Sequence, residues 1–301
     1  MAPKDLRIAT LNVSGGEKSF EAYPFATQKS RQEALALLIS RLNAQVLCLQ
    51  EASEFIDADG LRHSLVEQIR QTVAYEYAFF GETLSMRNHM QIKKDIMVQG
   101  VFCDWQNWAK GNAILSKIPF SRLSDPTRLG TPRNIPLFQP LRYEGNRDTD
   151  PRYVVLTRLQ EPPYPFLATL HLTTLIGERP PNALPGKDDL AKGLRKEQIK
   201  RFLDLVKDYI LQKNEPLILT GDFNATADED CISRLLEEEV GFVHLIPENE
   251  SPSHPKVTQP IDHILFFPKE RLVDYTCQIE VDVLSRRASD HLPVVADLKI
   301  K

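Results

Sequence analysis

The sequence predicts an α/β protein whose sheets are packed inside helices. Short apolar runs recur and end in polar residues, as in AQVLCLQE (44–51) and LILTGDFN (217–224). Between them lie segments with helical apolar spacing, as in 30–43, where positions 35, 38, 39 and 42 are apolar. RYVVLTRL (152–159) and PFLATLHL (165–172) flank a Pro-rich turn and read as an antiparallel pair. Antiparallel neighbours interleaved with helices point to covered, packed sheets rather than a simple doubly wound order.

Taken in order, LRIATLNV (6–13) reads as the first strand, 30–43 as a helix and 44–51 as a buried strand. Residues 62–74 read as a helix, then YAFFG, IMVQGVF (96–102) and GNAILSKIPF (111–120) as strands. Residues 124–152 are rich in Pro and Arg without a period, and read as a long surface insertion. The antiparallel pair follows, then a loop at 177–192 and an amphipathic helix at 193–213. LILTGDFN reads as a strand, 228–239 as a helix, and PIDHILFF (260–267), CQIEVDVL (277–284) and LPVVADLKI (292–300) as strands. No linker or repeat divides the chain, so one domain over 1–301 is expected.

The 301 residues are 42% hydrophobic and 26% charged, with a net charge of −4. That balance fits a globular chain and weakens a role in gripping bare duplex DNA by charge alone, without excluding a local basic groove. The start, MAPKDLRIATLNV, lacks an apolar signal region, and no run approaches the ~18 apolar residues of a membrane span. Cys48, Cys103, Cys231 and Cys277 are scattered without a C-x-x-C pair, which argues against a disulfide framework or zinc site. A reducing, cytoplasmic setting and a monomer are the expectations.

Chemistry-bearing side chains collect at the ends of the apolar runs. They are Asn12, Gln50 with Glu51, His171, Asp222 with Asn224, Asp262 with His263, and Asp290 with His291. Strand alternation places Asp222 and Asn224 on one face, and His263 on the face opposite Asp262, where a structural role is expected. Each has an ordinary alternative: a turn for Asn12, a helix start for Glu51, a core histidine for His171, a solvent-facing strand end for Asp262, a helix cap for Asp290–His291. Their recurrence at strand ends, where layered α/β folds assemble sites, argues for a shared centre.

The set TLN (10–12), LQE (49–51), GNAILSK (111–117), LHLT (170–173), GDFNA (221–225), ID (261–262) and SDHLPV (289–294) resembles the endonuclease/exonuclease/phosphatase superfamily. That superfamily includes deoxyribonuclease I, exonuclease III, neutral sphingomyelinases and inositol polyphosphate 5-phosphatases. The pieces occur in family order over essentially the whole chain. The resemblance implies a four-layer sandwich of α/β class, with two mixed β-sheets packed face to face and helices outside. It implies metal-dependent hydrolysis of a phosphoester, most naturally a phosphodiester, with Mg²⁺ or Mn²⁺ as cofactor. An oxygen-rich donor set suits Mg²⁺ better than a histidine cluster does. By resemblance, Glu51 is the principal metal ligand, with Asn12 and Asp290 near the same ion.

The resemblance also assigns Asp222 to the attacking water and Asn224 to a phosphate oxygen. His291 is set against the phosphate as base or transition-state stabiliser, held by Asp262. His171 donates to the phosphate or leaving oxygen, and Asn112 has a supporting role. Substrate choice lies in the loops 82–110, 124–152 and 177–192. Trp105 and Trp108 offer stacking or plain packing surfaces, and Arg128, Arg133, Arg142, Arg147 and Arg152 are phosphate grips or a solvated basic loop. A nucleic-acid end or strand is the first substrate expectation, a phospholipid, sphingomyelin or inositol-type head group the second. A silent binding module on the same fold is disfavoured by the complete residue set.

Overall fold

The apolar runs close into a seven-stranded and an eight-stranded sheet in the computed structural model. It describes residues 3–16, 18, 28–57, 59–85, 105–249 and 251–301. The expected strand at 96–102, Cys103 and the Trp105 side chain lie outside them.

The first sheet contains β1 (Lys4–Asn12), β2 (Val46–Asp57), β3 (Arg62–Ser64), β4 (Tyr77–Ser85), β5 (Trp105–Ser116), β14 (Leu272–Ile279) and β15 (Val294–Ile300). Its order is β14-β15-β1-β2-β5-β4, with β3 paired to β2. The second contains β6 (Phe120–Arg122), β7 (Asp125–Leu129), β8 (Arg133–Phe138), β9 (Arg152–Leu159), β10 (Phe166–His171), β11 (Leu217–Asp222), β12 (Val243–His244) and β13 (Asp262–Phe267). Its order is β12-β13-β11-β10-β9-β6-β7, with β8 on β9. Both are mixed: β1 and β2 run parallel, as do β10 and β11, while β15 and β13 lie antiparallel to their neighbours β1 and β11.

Period-two burial builds the layers. Ile8, Val46, Cys48 and Ile114 of one sheet meet Val155, Leu167, Ile218 and Ile264 of the other. The intervening residues face outward under helices. Ala9, Leu11, Leu47 and Leu49 pack on α1 (Gln28–Leu42) and α2 (Leu65–Val73). Ala168, Leu170 and Leu219 pack on α3 (Lys187–Val206) and α4 (Asp230–Leu236), chiefly through Phe202, Val206 and Ile232. The helical stripe expected in 30–43 is this contact: Leu35, Leu38, Ile39 and Leu42 are buried. Each such side chain contributes about 1.5–3 kcal/mol of burial.

Three local expectations are corrected. Residues 124–152 are not simply a surface insertion: they contain β7 and β8, β8 pairs with β9, and Leu137, Tyr143 and Asp150 are buried. Pro136 hid the strand, because among the described residues β8 pairs only with β9, and a strand paired on one side tolerates a residue that cannot donate. The strand read at 277–284 ends at Ile279, and Asp282 caps a short helix α5 (Val283–Ala288) by accepting from Ser285 N at 2.7 Å. The helix read at 62–74 begins only after β3, with Ser64 as its N-cap.

Gly221 explains the glycine of GDFN. Its φ is +144°, and a Cβ there would lie 2.0 Å from the Leu170 carbonyl oxygen of the paired strand β10. We expect Gly221→Ala to cost more than ~2 kcal/mol in urea unfolding, because both conformation and interstrand spacing must yield. A change below ~0.5 kcal/mol would contradict this packing.

Candidate active site

The cleft lies where the two sheets present their polar strand ends to each other. β1 ends in Asn12, β10 in His171 and β11 in Asp222, all on the inter-sheet face. Asp262 is the first residue of β13 and stands opposite Asp222 because that strand runs antiparallel. Asp290 and His291 precede β15, held by the Ser289 hydroxyl, which donates to Asn12 O at 2.6 Å and accepts from His291 N at 3.2 Å.

Two residues leave strand geometry to reach this centre. Strict alternation would turn Glu51 toward the helices with Leu49. A register shift between Leu49 and Ala52 and a φ of +53° at Glu51 re-aim it into the cleft. Asn224 does not share the Asp222 face through alternation, because the strand has ended. It has a φ of +50°, and its amide N–H donates to Asp222 Oδ1 at 2.8 Å in an Asx-type turn.

Asp222 is the hub. Its Oδ2 accepts from Asn12 Nδ2 at 3.0 Å across the sheets, and lies 3.4 Å from His171 Nε2 and 3.8 Å from His291 Nε2. His291 Nδ1 meets Asp262 Oδ2 at 2.9 Å. His171 Nδ1 is 3.9 Å from Glu51 Oε1. Asn224 Nδ2 donates to Leu172 O at 3.1 Å, and Arg179 Nη2 to Asn224 O at 2.5 Å. Below this layer, buried Gln50 reaches Thr10 Oγ1 at 3.1 Å and Thr169 Oγ1 at 2.9 Å, one hydroxyl from each sheet. Asn112 donates to Tyr153 O at 2.9 Å, which braces β5 on β9 beside the cleft.

The two imidazoles are driven in opposite directions. Burial would lower the His291 pKa, but the Asp262 and Asp222 carboxylates outweigh it and lift it to about 10. Burial and then the Arg152 charge bring His171 down to about 4, against the pull of Asp222 and Glu51. The burial penalty on Glu51 is overcome by Lys110, then His171, Lys18 and Arg152, which hold its carboxyl far below the usual range.

Several residues that sequence reasoning missed belong to this site. Lys110 pairs with buried Asp150 at 3.1 Å, and Arg152, only 4% exposed, lies 3.9 Å from the same carboxylate. Together with Glu51, Asn112 and His171 they line a pocket of about 10 Å³, room for about one water. Lys18 and His254 each lie 3.9 Å from Asp290 Oδ2. Only Arg152 had been singled out, and nothing separated it from the exposed arginines of its segment. His263 faces away from the cleft as expected: its Nε2 donates to Ala225 O at 2.8 Å and its Nδ1 accepts from His244 Nε2 at 3.0 Å.

Two groupings can be weighed as a cation site. Ligand atoms of Asp222, Asp262 and His291 lie within 4.8 Å of one another; Asp222 Oδ2, Asp262 Oδ2 and His291 Nδ1 are hydrogen-bonded to Asn12 or to each other, while buried Asp262 Oδ1 has no hydrogen-bond partner among the described residues. Glu51 and Asp290 are the other oxygen donors of the cleft. Both offer carboxylate oxygen, and buried Asp290 Oδ1 has no hydrogen-bond partner among the described residues. Asn12 Oδ1 accepts from Ser14 N at 2.9 Å, which leaves one lone pair to offer.

The profile of the Endonuclease/Exonuclease/phosphatase family matches residues 9–291. The chain belongs to this family. Among solved structures, it is similar to a family protein from Beutenbergia cavernae, with TM-score 0.65 and 20% identity over 98% of this chain and 72% of that one. It is similar to the human Nocturnin catalytic domain with bound sulfate, with TM-score 0.59 and 16% identity over 99% and 95% of the two chains. Truncated Caenorhabditis elegans TDP2 aligns with TM-score 0.57 and 15% identity over 98% of each chain. At these identities the likeness carries the fold. A search of curated proteins finds no match.

The buried histidine pair behind the cleft predicts an acid sensitivity. Burial, with the His244 charge second, lowers the His263 pKa to about 3. A depressed folded-state value stabilises the protein above the unfolded value of ~6.5, and that stability is lost as pH falls toward the folded value. Between pH 7.5 and 5 we expect about 2 kcal/mol of His263-dependent loss in urea unfolding. His263→Gln should flatten that slope, and an unchanged slope would contradict the assignment.

Proposed function

We propose that this family member is a divalent-metal-dependent phosphodiesterase whose first substrate class is nucleic acid, working from one domain. The observation that carries the reading is the Asp262–His291 pair facing Asp222, with His171 and Glu51 closing the same cleft.

The mechanism follows from what each side chain offers. Asp222 has one oxygen held by Asn12 and the other by the Asn224 amide, so its carboxylate is fixed in orientation. It orients the attacking water and accepts its proton. The Asn224 carboxamide uses one N–H on Leu172 O and keeps a second for a phosphate oxygen. His291, with Nδ1–H committed to Asp262, directs Nε2 toward the reacting phosphate and stabilises its charge. His171, whose Nε2 lies 3.4 Å from Asp222 Oδ2, donates to a phosphate or leaving oxygen. Glu51 and Asp290, with Asn12 beside them, are the residues that would hold Mg²⁺ or Mn²⁺. Such an ion, when bound, neutralises phosphate charge and stabilises the charge that develops.

The nucleic-acid reading is supported by cations around an otherwise acidic chain. Burial and then His291 disfavour the charged form of His254, with Lys256, Arg179 and Lys18 adding to the effect, and Lys110 and Arg152 act on Glu51. Arginine and lysine at a cleft edge suit a backbone carrying successive phosphates.

The test is hydrolysis of single- and double-stranded DNA, RNA, sphingomyelin, an inositol phosphate and bis-p-nitrophenyl phosphate, each with EDTA, Mg²⁺ or Mn²⁺. We expect metal-dependent turnover, strongest on nucleic acid. Asp222→Asn and His291→Ala should each lower kcat about 10²–10⁴-fold with thermal midpoints retained. Glu51→Gln should raise the Mg²⁺ concentration needed for half-maximal rate. Full activity of either of the first two variants, or equal rates in EDTA, would sink the reading.

A further inference from the structure

Among the described residues, His254 is the one histidine of the cleft to which the mechanism gives no work. Its ring centroid lies 4.7 Å from that of His291, with the planes inclined at 52°. Its side chain is 15% exposed, and its Nε2 lies 3.9 Å from Asp290 Oδ2. That separation is too long for a hydrogen bond, so this carboxylate does not consume the N–H.

The backbone fixes both the place and the tautomer of this ring. The wholly buried Ser253 beside it accepts at its hydroxyl from Ile261 N at 3.0 Å and Asp262 N at 3.2 Å. The Ser253 carbonyl accepts from Leu292 N at 2.8 Å. Ser253 thus ties the start of β13 to the segment carrying His291, and His254 is the next residue. Lys256 N donates to His254 Nδ1 at 3.1 Å. A ring nitrogen that accepts an amide hydrogen carries none itself, so the neutral ring bears its hydrogen on Nε2. A backbone contact therefore holds a donor between His291 and Asp290.

We propose that His254 is a substrate-contacting residue whose Nε2–H donates to a non-bridging oxygen of the bound phosphoester. The proposal rests on the phosphoesterase reading and assigns a third imidazole to the same phosphate. The competing role is packing, in which the ring only supports His291. Phe keeps the ring face and loses the donor, whereas Gln keeps an N–H donor and loses the ring, so the two roles rank these substitutions oppositely.

The experiment measures kcat and KM of the wild type, His254→Gln and His254→Phe on bis-p-nitrophenyl phosphate at saturating Mn²⁺, with thermal midpoints alongside. We expect His254→Phe to lose about 10- to 100-fold in kcat/KM and His254→Gln to stay within about threefold, as for loss of a hydrogen bond to a charged group. The reverse ranking, or equal losses, overturns the proposal. A wild type that hydrolyses no diester sinks the phosphoesterase reading instead. The test then passes to orthophosphate affinity by calorimetry on the same three proteins. Weaker binding in His254→Phe alone supports the donor role. Equal affinities, or no binding by the wild type, overturn it.

Discussion

Gln50 is the hydrogen-bonded tie on which the cleft depends. Its amide spans the gap between Thr10 of β1 and Thr169 of β10, both fully buried. Apolar contacts elsewhere between the sheets are non-directional and tolerate sliding, whereas this amide admits one register. One layer above, Asn12 reaches across to Asp222 in the same register. The distances from Asp222 to Asn12 and His291 follow from that alignment, because Asn12 belongs to the other sheet and His291 precedes its strand β15.

The register also explains the split between the two histidines. His291 is clasped by Asp262 and faces Asp222, so two carboxylates favour its charged form despite burial. His171 shares Asp222 but lies closer to the influence of Arg152, and burial wins there. Environments that push two like groups apart in pKa assign them distinct protonation states within one cleft. Four proximate carboxylates, Asp222, Asp262, Asp290 and Glu51, and several cations achieve this without any residue that is unusual by itself.

Much of this was legible in the sequence because strand periodicity is local. The runs ending in Asn12, His171 and Asp222 are strands, and Asp262 and His291 border strands, as their patterns implied. Glu51 was legible as an acid closing an apolar run, but it is not a strand end, since β2 continues to Asp57, and its direction was hidden. Alternation points it away from the cleft, and only the bulge and its left-handed backbone turn it back. Alternation does not set Asn224 beside Asp222, because β11 ends at Asp222; a turn closed by the Asp222 carboxylate holds the Asn224 backbone instead. Asp150, Arg152 and His254 were hidden because their roles arise from pairing and contacts distant in sequence. β8 docks on β9 through long-range pairing that prolines disguise, and His254 sits in a loop fixed by Leu292, 39 residues after Ser253 (292 minus 253).

The central claim is that the two sheets act as one catalytic unit through Asn12 and Asp222. A double-mutant cycle on metal-dependent hydrolysis of bis-p-nitrophenyl phosphate tests it most directly, with Asn12→Ala, Asp222→Asn and the pair compared with the wild type. Groups that act as a unit lose activity non-additively. The account predicts that the double variant is no more than a few-fold slower than Asp222→Asn alone. Losses that multiply, or full activity in Asn12→Ala, would contradict it.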